Sequence, residues 1–89
     1  MRVRFRRAGD KVRISIDDKK RGGRYTHTTV ADLFDGLADL PGETIIPGAP
    51  ADITVTSTRG GYHFQIGPCY ATVTAADLVT RLEKAAADG

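Results

Sequence analysis

The sequence predicts an α+β domain: antiparallel sheet with two helices on one face, built from two tandem strand-strand-strand-helix repeats related by a pseudo-twofold. Three observations predict it. First, Gly22 to Leu37, GGRYTHTTVADLFDGL, and Gly67 to Leu82, GPCYATVTAADLVTRL, share the pattern G-x-x-Y-x-x-x-T-x-A-D-L-x-x-x-L at an offset of forty-five positions. Second, the alternation upstream of each copy also matches once five extra residues are allowed around Asp17 to Arg21. Val3, Phe5, Val12, Ile14 and Ile16 then fall on Ile53, Val55, Tyr62, Phe64 and Ile66. Third, the chain has 89 residues, so a half of about 45 would bury too little apolar surface alone and the copies should share a core. The expected division is one domain over residues 1–89, with repeats at about 1–40 and 52–89 and a linker at 41–51.

Taken in order, Arg2 to Arg7 alternates Val3 and Phe5 with Arg2, Arg4 and Arg6, the period of a half-buried strand. Gly9 and Asp10 supply a tight turn. Lys11 to Asp17 then sets Val12, Ile14 and Ile16 against Lys11, Arg13, Ser15 and Asp17. The hairpin has one apolar face and one basic face. Five cations share that outer face with Asp17 as the only acid, and like charges opposed across a sheet repel. Asp18 to Gly23 reads as an exposed loop, and Arg24 to Thr28 as a third strand.

Thr29 suits an N-cap with Asp32 in the first turn, where its charge complements the free amides. Val30, Leu33, Phe34 and Leu37 form the expected apolar helix face. Gly36 should weaken this helix and Pro41-Gly42 end it. Residues 41–51, rich in Pro and Gly, read as a connection pinned to the core by Ile45 and Ile46. The second copy follows with strands at Ile53 to Thr58, Tyr62 to Ile66 and Cys69 to Val73. Thr74 caps a helix whose expected apolar face is Ala75, Leu78, Val79, Leu82 and Ala86. On the second hairpin the outward residues are Thr54, Thr56, His63 and Gln65, neutral where the first copy is cationic.

The net charge of +2 conceals a strong segregation. Residues 1–24 hold ten cations and three acids, and the remaining 65 residues hold three cations and eight acids, giving balances of +7 and −5. The candidate polyanion-binding set is therefore Arg2, Arg4, Arg6, Arg7, Lys11, Arg13, Lys19, Lys20, Arg21 and Arg24, an electrostatic footprint for phosphate backbone or an acidic protein surface. Arginine on the strands suits bidentate contact with phosphate or carboxylate. With no Trp, and Tyr25 the only aromatic near these cations besides the core-facing Phe5, stacking on single-stranded bases has little support from the sequence. In element order alone, three strands and a helix with a basic sheet face is similar to the arrangement with which some plant transcription-factor domains and integrase arm-binding domains lay strands in a DNA groove.

Other chemistry finds little footing. A lone Cys69 leaves no intramolecular disulfide and no zinc-type spacing. Cys69 and His27 lie on equivalent third strands, but a single Cys among Ala, Val and Tyr reads as a small core residue. Asp17 and Asp18 are consecutive on an extended segment, so their carboxyls diverge. The glycine pairs lack the Gly-Lys-Ser/Thr continuation of a phosphate-binding loop. The expectation is a non-enzymatic module with no metal, no cofactor and no membrane span, in the cytoplasm. Its expected partner is a polyanion, nucleic acid foremost. The alternatives are a protein-interaction module or inhibitor, such as a phage-encoded one acting on host nucleic-acid machinery through the acidic helices, and a homodimer formed through the Arg2 to Arg7 edge.

Overall fold

The computed structural model describes residues 2–17 and 22–87, with side chains for all of these except residues 2 and 85–87. Its elements run β1 (Arg2–Ala8), β2 (Lys11–Asp17), β3 (Arg24–Thr29), α1 (Val30–Ala38), β4 (Glu43–Ile46), β5 (Ile53–Ser57), β6 (Gly61–Ile66), β7 (Cys69–Thr74) and α2 (Ala75–Ala87). The strands form two antiparallel sheets, one ordered β1-β2-β3 and the other β4-β5-β6-β7. The α+β class and antiparallel pairing thus agree with the sequence, but the single sheet is replaced by two. Gly9 and Gly67 open the two-residue turns of β1-β2 and β6-β7 with φ of 66° and 57°, where such hairpins favour a residue without Cβ.

The inward faces of the two sheets make one core. Val3, Val12, Ile14 and Ile16 from the first meet Ile46, Ile53, Val55, Phe64, Ile66, Cys69, Ala71 and Val73 from the second, with Leu33 and Leu78 added by the helices. Phe5 on β1 meets Phe64 on β6 edge to face, ring centroids 5.8 Å apart, so an aromatic contact spans the sheets.

The helices do not share one sheet face. Helix α1 packs on β3 and β4, whereas α2 packs on β1, β6 and β7, so each bridges an edge of one sheet to an edge of the other. Both begin as expected: Thr29 Oγ1 accepts from the Asp32 amide at 3.0 Å, and Thr74 Oγ1 from the Asp77 amide at 3.1 Å. Their buried faces are narrower than the apolar pattern implies. Leu33 and Leu78 are buried, but Phe34 and Val79 are exposed, because each helix meets the sheets along one stripe and residues one position further round fall on its flank. Ala75 is exposed as well, and Ala86 has no described side chain.

Residues 41–51 contain a strand the sequence reading lacked. In β4, Thr44 and Ile46 point inward opposite Val55 and Ile53, and Ile45 points outward, 59% exposed. Strand alternation allows only one of two adjacent isoleucines into the core. Ile46 also gives Gly36 its role, since a Cβ at Gly36 would lie 2.6 Å from Ile46 Cγ1. The glycine that lowers helix propensity is what lets α1 approach β4.

Two consequences are measurable by urea denaturation. Leu33→Ala and Leu78→Ala should each lower stability by about 2 to 5 kcal/mol through lost burial and the cavity left behind. Gly36→Ala tests sign: propensity alone would raise stability by about 1 kcal/mol, but overpacking of about 1 to 3 kcal/mol against the branched Ile46 should give net loss.

Candidate functional site

The outer face of the first sheet is set by its register. One row across the strands is Arg4, Ser15 and Tyr25; the next is Arg6, Arg13 and His27; the last is Ala8, Lys11 and Thr29. Arg4, Arg6, Lys11, Arg13, Tyr25 and His27 are exposed. Arg6 and Arg13 are direct cross-strand partners, the arrangement in which like charges repel most. Among the described residues, Arg6, Lys11 and Arg13 have no acidic partner. The acid on this face is Asp17, whose Oδ2 lies 3.0 Å from Arg4 Nη2.

Aromatic groups complete the face. The Arg13 guanidinium lies over the Tyr25 ring, 4.3 Å from its centroid, and the His27 ring meets Tyr25 edge to face at 5.7 Å. Beside them is a shallow depression of about 390 Å³, bordered by Arg4, Arg6, Arg13, Arg24 and Tyr25 with Gly22-Gly23 along one rim.

Strand β3 is held in place from its far side. His27 and Ala49 exchange backbone hydrogen bonds of 2.9 and 3.0 Å. The buried Thr26 hydroxyl donates to the Ala51 carbonyl and accepts from the Ala51 amide at 3.3 Å. Gly48 permits this approach, because a Cβ there would sit 2.7 Å from the Ala51 carbonyl oxygen and 2.8 Å from Thr26 Oγ1. The loop thereby fixes the strand that carries Tyr25 and His27.

The proposed cation set divides on inspection of the register. Arg4, Arg6, Lys11 and Arg13 share the outer face. Arg7 does not: it stands opposite Val12 with the inward parity of Val3 and Phe5, and its Nε donates to the Gly9 carbonyl at 2.8 Å. Arg24 is opposite Ile16, also of inward parity, but at the start of the strand it is exposed, donates to the Gly23 carbonyl at 3.0 Å and borders the depression. Arg2 pairs with Asp17 in the backbone register, its side chain being outside the described set; Lys19, Lys20 and Arg21 lie outside the described residues. Sequence reasoning missed the part played by Tyr25 and His27. Their alternate spacing on β3 was legible, but that Arg13 on the neighbouring strand would lie over Tyr25 was not.

The second sheet provides a comparison in the same register. Its rows are Thr54, Gln65 and Tyr70, then Thr56, His63 and Thr72. Thr54 and Thr56 stand where Arg4 and Arg6 stand, and His63 where Arg13 stands. His63 even repeats the diagonal contact, its ring 5.3 Å from that of Tyr70. Glu43, on β4, is the one charged residue on this outer face among the described residues, with Thr56 Oγ1 3.4 Å from its carboxylate.

Cys69 is buried in the core and His27 lies on the exposed face of the other sheet, so the two do not meet. Among the described residues, no group of three or more His, Cys, Asp or Glu is arranged to hold a metal ion, and no helix is long and apolar enough to cross a membrane. No family model, curated protein or solved structure matches this chain.

The Arg4–Asp17 bridge is well exposed, at 61% and 50% for the two side chains. Asp17→Asn should therefore change unfolding free energy by less than about 1 kcal/mol in a urea titration.

Proposed function

We propose that the protein is a non-enzymatic binding module whose first sheet presents its basic outer face to a polyanion, and that the polyanion is nucleic acid. The observation that carries this reading is the cluster of Arg6, Arg13 and Lys11, set at a cross-strand spacing that costs stability and without an acidic partner among the described residues, Asp17 on the same face being held by Arg4. Phosphates would remove that repulsion. The second sheet serves as an internal control, since Thr56 and His63 occupy the positions of Arg6 and Arg13 in the same register. The strand pairing does not need arginine there.

The matching rows also support reading the chain as two copies of one strand-strand-strand-helix unit, with β4 as an addition to the second. On that reading the copies have diverged in their outer faces, one charged and one neutral. Protein partnership through exposed helix acids such as Asp35, Asp39, Asp77 and Glu83 is the competing reading. Asp77 lies in the first turn of its helix, where the dipole favours an acid whatever the function, and the other three are exposed charges of the kind any solvated helix carries, so they discriminate less. Pairing of β1 with a second copy is weakened by α2, which packs along that strand.

Fluorescence anisotropy with labelled duplex and single-stranded oligonucleotides over a salt series tests the proposal. With about four of the outer cations meeting phosphates, log affinity for duplex should fall with log salt at a slope of about −4. A variant carrying Arg4→Thr, Arg6→Thr and Arg13→His, which copies the second sheet, should bind at least tenfold more weakly. Equal binding by both proteins would overturn the site. Absence of binding by either near physiological salt would favour the protein-partner reading.

A further inference from the structure

We infer that the basic face is built for single-stranded nucleic acid, with the stacked Arg13–Tyr25 pair as the seat for an unpaired base and the surrounding guanidiniums as the contacts for its flanking phosphates; this rests on the polyanion reading above. Three features of the face lead there. Tyr25 stays 48% exposed in the middle of a charged surface, although β3 is anchored on its other side and its inward neighbour Thr26 is fully buried. The ring is also held: Arg13 lies over it at 4.3 Å and His27 meets it edge-on at 5.7 Å, so its orientation is set before any ligand arrives. Finally, Tyr25 and Arg13 border the same depression as Arg4, Arg6 and Arg24, with Asp17, bridged to Arg4, as the acid among its described lining residues.

Planar ring and planar guanidinium both stack on nucleobases, while the neighbouring arginines suit phosphate oxygens. Gly22 and Gly23 themselves contribute no side chains to the rim of the depression.

Base pairing decides which nucleic acid can use this seat. In a duplex the base faces are already stacked on one another, and only their edges and the phosphates are available to a sheet surface. An unpaired strand offers those faces. Arg6, Lys11 and Arg13 therefore serve either form, whereas the Tyr25 ring adds affinity only for a single strand. A role for Tyr25 confined to easing the Arg6–Arg13 repulsion would give no such preference.

The test uses the whole chain with three labelled probes at one salt concentration: a 12-nucleotide thymidine strand, a 12-base-pair duplex, and an abasic 12-mer that keeps the phosphates without the bases. Wild type should bind the thymidine strand about tenfold more tightly than the abasic strand, the scale of one stacked base. Tyr25→Ala should abolish that difference, weakening the thymidine strand several-fold more than the duplex, and Tyr25→Phe, which keeps the ring, should restore it. Circular dichroism on each variant confirms folding. Equal affinity of wild type for thymidine and abasic strands would overturn the stacking inference while the polyanion reading stands, as would a parallel loss of strand and duplex binding in Tyr25→Ala. Failure of wild type to bind all three probes would overturn both.

Discussion

Mutual burial of two sheet faces is the constraint on which the rest of this protein depends. Neither hairpin has enough apolar surface to be stable in water by itself, and the two cover each other through Val12, Ile14 and Ile16 on one side and Val55, Phe64 and Ile66 on the other. Because a strand sends alternate residues to opposite faces, committing these to the core also commits Arg4, Arg6 and Arg13 to solvent. A slip of one residue in the β1-β2 pairing would bury arginine and expose isoleucine, so the core that stabilises the fold also fixes the register of the basic face.

Closing this sandwich falls to the helices and the central connection. Each helix lies across an edge of both sheets, α1 at the β3 and β4 side and α2 at the β1 and β7 side. These contacts need close approach, which explains why glycine recurs where regular structure would disfavour it. Gly36 admits Ile46 to the helix surface, and Gly48 lets the loop reach Thr26 and pair with His27. The outcome at the basic face is a third strand held on both sides, by β2 and by the 47–51 loop. Tyr25 and His27 are thus displayed from an anchored strand.

Two outer faces in the same register make the charge distribution interpretable. A basic strand face in isolation would signify little, since charged residues belong on solvated surfaces. Here one face holds Arg4, Arg6, Lys11 and Arg13, and the other holds threonine, glutamine and histidine at matched positions with similar pairing. Both carry a tyrosine, Tyr25 on β3 and Tyr70 on β7, with a neighbouring ring or guanidinium beside it. What differs between the faces is charge, and charge governs affinity for phosphate.

The sequence by itself determined the local structure: strand alternation at Val3 to Phe5 and Val12 to Ile16, the Gly9 turn, the Thr29 and Thr74 caps, and the basic character of one hairpin face. Each of these depends on neighbours within a few positions, through side-chain alternation, backbone freedom or a capping hydrogen bond. Only the tertiary structure decided that the strands divide into two sheets, that Glu43–Ile46 forms β4, that Phe34 and Val79 remain outside the core, and that Arg7 lies off the basic face while Arg13 lies over Tyr25. A period of two says which way a side chain points relative to its own strand but not which strand will lie beside it. Pairing partners, seams and cross-strand stacking arise from contacts distant in sequence, where the deciding quantity is how two separate surfaces fit.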